Sequence, residues 1–154
     1  MTAETTFSVR QAVLADLDLL APMLDQYRQF YQRPSDLAAA RSFLMDRFNH
    51  GESVLFIAQE GDTVLGFAQM YPSFSSVSLK RAFVFNDLFV AQAGRRRGVG
   101  QALIAAAAAY ATALGARFLT LSTAKTNEDA QALYRSTGWQ REETFVGYTL
   151  MLQD

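Results

Sequence analysis

The chain has 154 residues, half of them hydrophobic and 19% charged, with a formal net charge of −1. This length and composition exclude a disordered chain and predict one domain over residues 1–154, which buries about two-thirds of its unfolded surface. The near-neutral charge argues against a general nucleic-acid-binding protein. Without an apolar run of 18 residues or a signal peptide, we expect no membrane association and a cytoplasmic location.

Metal and thiol chemistry are also disfavoured by composition. The chain has no cysteine, which excludes disulfides, thiolate catalysis and zinc–thiolate sites. The single histidine, His50, cannot form a His-based metal cluster. We therefore expect a protein that works without a metal.

The first half of the chain predicts a strand, two helices and a hairpin of two strands. Apolar residues at a spacing near 3.6 indicate the helices, and alternating or continuous apolar runs indicate the strands. Asp16 offers an N-cap for the first helix, and Tyr71-Pro72-Ser73 is expected to close the last strand. The predicted elements are Thr6 to Val13, Leu17 to Tyr31, Leu37 to Phe48, Ser53 to Gln59 and Thr63 to Met70.

The second half predicts a strand, a helix, a short buried strand, a helix and a final pair of strands. These elements are Arg81 to Val90, Gly98 to Ala113, Arg117 to Ser122, Asn127 to Thr137, and the pair from Trp139 to Leu152. The resulting order is βααβββαβαββ, which predicts an α/β fold (an α+β mixed sheet) with helices on its faces.

The stretch Phe85 to Leu103 has the features of an anion-binding site. An apolar strand leads through a short loop to three arginines and the turn Gly98-Val99-Gly100, after which an alanine-rich helix begins. Unpaired N–H groups and the positive end of the helix dipole meet at such a turn. A Walker loop would need Gly-Lys-Ser/Thr, and a dinucleotide fingerprint would need glycine where Leu103 stands, so neither nucleotide motif fits.

The pattern Arg95-x-x-Gly98-x-Gly100 after a Leu-Phe-Val strand resembles motif A of the GCN5-related N-acetyltransferases (the GNAT family). The segment from Asn127 to Trp139 resembles that family's Asn-x-x-Ala-x-x-x-Tyr-x-x-x-Gly-Phe signature, with Trp139 in place of the aromatic Phe. The element order is also that of the family. The resemblance covers nearly the whole chain and implies the GNAT fold.

The resemblance implies acetyl-CoA as the acetyl donor. The amides of the glycine turn would hold its pyrophosphate, with charge-assisted bonds from the arginines, and the free edge of the preceding strand would align its pantetheine arm. A plain N-cap role is the alternative for Asn127. The cofactor-binding residues expected are Leu88, Phe89, Val90, Arg95, Arg96, Arg97, Gly98, Val99, Gly100, Gln101, Asn127, Ala130 and Tyr134.

Two residues are candidates for proton transfer. By resemblance, Tyr134 would be the general acid that protonates the sulfur of coenzyme A; a half-buried structural tyrosine is the alternative. Related enzymes carry a glutamate as base where this chain has Asn86, so Asp87 is the nearest carboxylate. Strict alternation places Asp87 on one face with Phe83, Phe85 and Phe89, which would raise its pKa, unless a bulge interrupts the strand. A structural carboxylate is the alternative for Asp87.

The acceptor is expected to be a small amine of the polyamine or amino-acid type. The segments Phe30-Tyr31-Gln32 and Met70 to Ser76 resemble those of the small-amine acetyltransferases that include the yeast histone and D-amino-acid acetylating enzymes, which implies small amines and polyamines as acceptors. Two alternatives stay open, a catalytically silent acyl-CoA-binding domain and a peptide or protein N-acetyltransferase. We also expect a homodimer that pairs through the C-terminal strands. The acceptor-binding residues expected are Tyr27, Tyr31, Tyr71, Asn86 and Asp87.

Overall fold

Five strands of the computed structural model, which describes residues 6–154, form one mixed sheet. The sheet order is β1-β2-β3-β4-β5; neighbours pair antiparallel except β4 and β5, which pair parallel. This confirms the predicted mixed α/β fold. The strands are β1 (Ser8–Gln11), β2 (Val54–Glu60), β3 (Thr63–Ser75), β4 (Lys80–Val90) and β5 (Leu119–Thr120).

The described part of the chain contains four α-helices. They are α1 (Leu17–Phe30), α2 (Leu37–Asn49), α3 (Val99–Ala113) and α4 (Glu128–Ser136), with short 3-10 turns at Leu14–Asp16 and Gln92–Gly94. The chain divides into two compact units, the first ending at Ser122 and the second running from Thr123 to Asp154. The single domain over residues 1–154 stays a prediction, and its residues 1–5 lie outside the described part.

The helices of the first unit cover the two faces of the sheet. The α1/α2 face joins apolar side chains of those helices to inward residues of β2 and β3, among them Leu20, Leu44, Ile57 and Phe67, each fully buried. On the opposite face, Tyr110 of α3 packs edge-on against Phe56 and Phe83. The buried residues of the central strands therefore face one helical layer or the other.

A β-bulge in β4 decides which layer Asp87 faces. Gln69 pairs with Asp87 and Met70 pairs with Phe85, so Asn86 is an extra residue without a cross-strand partner. Since Gln69 and Met70 point to opposite faces, Asp87 and Phe85 do so as well. The strict alternation expected for β4 is therefore wrong: Asp87 lies on the α1/α2 face with Phe89, while Phe83 and Phe85 face α3.

The strand β3 continues past the point where the sequence predicted its end. It runs through Pro72, which pairs with Phe83, to Ser75. The ladder between β2 and β3 ends at Val54 and Met70, so the later residues of β3 form an edge. Proline lacks the N–H that a central strand needs but fits an edge strand, which explains why Pro72 does not end β3.

Three other predictions about individual elements are corrected by the structure. Asp16 precedes α1 but makes no side-chain cap bond; its carboxylate instead accepts bonds from Arg10 at 2.7 and 2.8 Å. The strand expected over Arg117 to Ser122 is reduced to two residues, because it forms a ladder with β4 only at Phe83 and Val84. The final pair of strands is wrong for the described chain, since residues 139–154 contain no strand.

Candidate active site

The N-terminus of α3 begins at the glycine turn where the sequence predicts an anion cradle. Gly98 precedes the helix with φ at +79°, a left-handed conformation that favours glycine, and no side chain caps the helix. The helix's first ladder bond runs from the N–H of Ala102 to the carbonyl of Gly98 at 3.0 Å. The amides of Val99, Gly100 and Gln101 precede that bond, so they are the helix's orphan donors and are suited to bind an anion.

The three arginines before the turn differ in their surroundings. Arg97 is already engaged: its Nη2 donates to Glu60 Oε2 at 2.6 Å and to the hydroxyl of Thr6 at 2.8 Å. Arg96 is exposed and has φ at +61°, and Arg95 Nε reaches the carbonyl of Val90 at 3.5 Å. The structure thus ties the side chain of Arg97 to β2, which leaves its contribution to the cradle to the backbone of the turn.

One edge of β4 is open beside the cradle. In the described chain, the ladder between β5 and β4 joins only Phe83 and Val84 of β4 and does not extend to the end of that strand. Leu88, Phe89 and Val90 lie beyond this ladder, and the 3-10 turn Gln92–Gly94 follows them toward α3. Unpaired strand groups at such an edge can accept hydrogen bonds from, or donate them to, an extended ligand.

Asp87 is a buried carboxylate, only 5% exposed, that faces the α1/α2 layer. Its Oδ2 accepts a hydrogen bond from the side-chain amide of Gln69 at 2.5 Å, and its Oδ1 accepts one from that of Asn86 at 3.0 Å. Burial raises the pKa of Asp87, and the bonds from Gln69, Asn86 and Tyr27 partly offset that rise by stabilising the charged form. The carboxylate of Asp87 therefore has a higher proton affinity than that of an ordinary aspartate.

Gln69 and Ser53 are polar residues that the sequence reasoning missed. Gln69 is fully buried, and its Oε1 accepts a bond from the hydroxyl of Ser53 at 2.8 Å. Because that bond fixes the amide, the Nε2 of Gln69 is directed at Asp87. A glutamine within the apolar run of β3 was the available signal, since a buried polar side chain requires a partner.

An open cavity of about 570 Å³ lies beside the same face of β3. Tyr71 is the one predicted acceptor residue in its wall; Phe43, Arg47 and Glu52 are wall residues that the sequence reasoning missed. Burial is the main reason that the pKa of Tyr71 rises to about 12, and the negative charge of Asp87 adds to the rise. The phenol therefore stays protonated and can donate a hydrogen bond.

The two other predicted aromatic residues belong to α1 and its end. Tyr27 packs edge-on against Phe67 and Phe89, and its hydroxyl is 3.5 Å from the carbonyl oxygen of Asn86. Tyr31 is 46% exposed and contacts the ring of Tyr27. The structure thus brings Tyr27, Asn86 and Asp87 together, with Tyr31 at the rim of this group.

The second unit holds the remaining predicted residues on α4. Asn127 caps this helix, since its side chain accepts a bond from the N–H of Ala130 at 3.1 Å. Tyr134 follows on the same helical face and packs against Trp139, with ring centroids 5.7 Å apart. The N-cap alternative for Asn127 is therefore realised, and the helix carries the signature residues in the predicted order.

Residues 6–154 show no group of three or more His, Asp or Glu side chains placed to hold a metal ion. Within the same range, every helix is too short or too polar to cross a membrane.

The family of the chain follows from its similarity to known proteins. The model of the acetyltransferase (GNAT) family matches residues 20–139, which include β4, the α3 cradle and α4. The chain belongs to this family, and it is an acetyltransferase of the GNAT type. The predicted family is thereby confirmed.

Relatives with the same family name cover almost the whole chain. The uncharacterized N-acetyltransferase YhfO of Bacillus subtilis (strain 168) is 45% identical over 143 residues, which are 93% of this chain and 96% of that protein. The crystal structure of a probable acetyltransferase is 41% identical, with a TM-score of 0.90 over 96% of this chain and 99% of that one. The GNAT fold is confirmed.

More distant structures share the fold with different acceptors. A metagenomic aminoglycoside acetyltransferase in complex with sisomicin has a TM-score of 0.83 at 20% identity, covering 96% of this chain and 97% of its own. The ribosomal-protein-alanine N-acetyltransferase of Brucella melitensis has a TM-score of 0.81 at 21% identity, covering 95% and 99%. Since proteins with such different acceptors share this fold, the fold does not identify the acceptor of this chain.

The contact between Gln69 and Asp87 predicts a measurable titration. Replacing Gln69 with Met keeps a long side chain but removes the donor that stabilises the charged carboxylate. We therefore expect Gln69→Met to raise the pKa of Asp87 above its wild-type value, as followed by NMR of the ¹³C-labelled carboxyl group. Gln59→Met is the matched control, since Gln59 lies on β2 and bonds to Arg10. An unchanged titration of Asp87 would contradict the assignment of Gln69.

Proposed function

We propose that the protein transfers the acetyl group of acetyl-CoA to the primary amine of a small molecule of the polyamine or amino-acid type. The observation that carries the proposal is the buried, hydrogen-bonded carboxylate of Asp87 on β4, whose open edge leads toward the cradle of α3. Acetyl transfer requires a bound thioester, a neutral amine, a stabilised oxyanion and a proton for the leaving thiolate. Each requirement corresponds to a residue group of this chain.

The donor would be held by the cradle and by the open edge of β4. The amides of Val99, Gly100 and Gln101 would bind the pyrophosphate of acetyl-CoA, and Arg95 and Arg96 would add positive charge. The backbone groups of Leu88 and Val90 would align the pantetheine arm, with Phe89 between them. The N–H of Leu88 would stabilise the oxyanion that forms on the thioester carbonyl.

Asp87 would accept the proton of the attacking amine, directly or through a water molecule. The amine nitrogen forms a bond to the carbonyl carbon, its proton moves to the carboxylate, and the carbon–sulfur bond breaks. A base is most effective when its pKa approaches the working pH, and burial moves the pKa of Asp87 in that direction. Asn86 occupies the position where related enzymes often carry the glutamate proposed as base. Its amide donates to Oδ1 of Asp87 and would hold that carboxylate in place.

Tyr134 would donate the proton to the leaving sulfur of coenzyme A. A phenol with a pKa of about 10 is suited to protonate a thiolate whose conjugate acid has a pKa of about 8.5. Asn127 and Ala130 would accompany Tyr134 on the same face of α4 as further contacts of the cofactor. This assignment rests on the match of the segment to the family signature and on the helix that the structure forms there.

The acceptor would occupy the cavity beside Tyr71 and extend from it toward the group of Tyr27, Tyr31, Asn86 and Asp87. Similarity to the polyamine, histone and D-amino-acid acetyltransferases stays a prediction, as do the cytoplasmic location and the homodimer. A protonated Tyr71 hydroxyl is a suitable donor to a polar group of the acceptor. A silent domain would bind acetyl-CoA without releasing thiol to any amine, and a peptide acetyltransferase would release thiol with peptide amines but not with small ones.

Gly98 provides the first test, which concerns the donor. Alanine at φ +79° costs about 1–2 kcal/mol, and the strain would shift the amides that follow. We expect Gly98→Ala to weaken acetyl-CoA binding in isothermal titration calorimetry. Gly115→Ala is the matched control, because Gly115 follows the other end of α3 with φ at +76° and has open space around its Cβ position. Equal losses of affinity in both variants would contradict the cradle.

Asp87 provides the second test. We expect Asp87→Asn to lower kcat/KM by about 10²- to 10⁴-fold, because an amide cannot accept the amine proton. Thiol release from acetyl-CoA across a panel of amines measures the change. In the wild type, kcat/KM should fall as the pH drops through the pKa of Asp87, at a higher pH than for an ordinary aspartate. Asp16→Asn, at a similarly buried aspartate, should keep the activity; full activity of Asp87→Asn would refute the base.

Tyr134 provides the third test. Tyr134→Phe removes only the hydroxyl, so we expect acetyl-CoA to bind normally and kcat to fall by about 10²- to 10⁴-fold, as for loss of a general acid. Stopped-flow measurement of thiol release checks the change. Tyr110→Phe, on α3 against Phe56 and Phe83, is the control that should keep the rate. Thiol release at the full rate in Tyr134→Phe would exclude the acid.

A further inference from the structure

Arg47, in the last turn of α2, presents a fixed guanidinium at the cavity beside Tyr71. Its Nε donates to Glu52 Oε1 at 3.1 Å, and its guanidinium carbon lies 4.6 Å from the centre of the Phe43 ring. The side chain is 26% exposed. Among residues 6–154, Glu52 is its only hydrogen-bonding partner and uses Nε alone, so the two terminal nitrogens remain for a ligand.

The Arg47 guanidinium and the Asp87 carboxylate lie on the same side of the sheet. Gln69, which bonds to Asp87, and Tyr71, which lines the cavity with Arg47, are two residues apart on one face of β3, about 6.6 Å along the strand. Both charges also act on the Tyr71 phenol, since Asp87 raises its pKa and Arg47 lowers it. A negative and a positive group therefore flank one phenol donor.

We propose that the acceptor amine carries a carboxylate, which Arg47 binds through its two terminal nitrogens while the amine lies at Asp87. The inference rests on the proposed function and names its substrate class, an amino acid or another amino-carboxylate. A guanidinium forms paired, charge-assisted hydrogen bonds with a carboxylate, and Tyr71 can donate a further bond to the same group.

The arrangement around Arg47 disfavours a simple diamine. A second ammonium at this end of the cavity would meet the positive guanidinium, whereas a carboxylate meets its opposite charge. Glu52 engages the guanidinium only at Nε through Oε1, so the paired donors on the terminal nitrogens are kept for a carboxylate. The contact with Phe43 and the bond to Glu52 hold the planar group in one orientation, which reduces the entropy lost when a carboxylate binds.

The test compares amines that differ only at the end facing Arg47. Thiol release from acetyl-CoA would be measured with glycine, 4-aminobutanoate and 6-aminohexanoate. Each is paired with the amine that lacks the carboxylate, namely methylamine, propylamine and pentylamine; 1,4-diaminobutane serves as the diamine. The variants are Arg47→Met, which removes the charge, and Arg47→Lys, which keeps the charge without the paired donors. Arg41→Met is the matched control, since Arg41 also lies on α2 and pairs with a carboxylate, that of Asp18.

We expect the wild type to prefer at least one amino-carboxylate over its matched amine. Arg47→Met should lower kcat/KM for that substrate by about 10- to 100-fold, the range for losing charge-assisted bonds, and should leave the matched amine unchanged. Arg47→Lys should fall between, and Arg41→Met should match the wild type. Because this readout is a ratio within one variant, a change in folding alone would not produce it.

The other outcomes distinguish failure of the carboxylate inference from failure of the proposed function. Activity with diamines or neutral amines that exceeds activity with every amino-carboxylate overturns the carboxylate inference and leaves acetyl transfer to small amines standing. Equal losses for both members of a pair in Arg47→Met also overturn it. Binding of acetyl-CoA without thiol release for any amine overturns the proposed function and the inference together.

Discussion

The extra residue in β4 is the constraint on which the candidate site depends. Asn86 has no partner across the ladder, and this bulge turns Asp87 from the α3 face of the sheet to the α1/α2 face. There the carboxylate accepts a hydrogen bond from the amide of Gln69, on the face of β3 beside which the cavity lies. Without the bulge, Asp87 would face the apolar layer with Phe83 and Phe85, where a charged group has no partner.

Two opposed effects then set the proton affinity of Asp87. Burial disfavours the carboxylate, while the amides of Gln69 and Asn86 stabilise it, and burial has the larger effect. The glutamine is held in turn by Ser53, so the network reaches from β4 across β3 to the start of β2. A satisfied polar network in a core fixes the geometry of its members, which is what a proton acceptor in an acetyltransferase requires.

The donor and acceptor halves of the proposed reaction depend on different kinds of structure. The cradle proposed at α3 would use backbone amides, so it would depend on the conformation of Gly98 more than on any side chain, and Arg97 is paired with Glu60. The cavity beside Tyr71 depends on side chains of α2 and β3 that are far apart in sequence. The GNAT fold is shared by an aminoglycoside acetyltransferase and a ribosomal-protein-alanine N-acetyltransferase, so the fold alone does not fix the acceptor.

The sequence by itself determined the order of the elements as far as α4, the glycine turn that precedes α3 and the family, because these depend on local periodicity and on motifs of contiguous residues. It also identified Asp87 as a candidate base from its position next to Asn86. Only the tertiary structure decided which face Asp87 occupies, that Gln69 and Ser53 are its supports, and that Arg47 borders the cavity. The ladder pairs that reveal the bulge and the contacts of Gln69 join residues 15 to 18 positions apart. Pairing across strands and burial decide such contacts, and neither can be inferred from the neighbours of a residue along the chain.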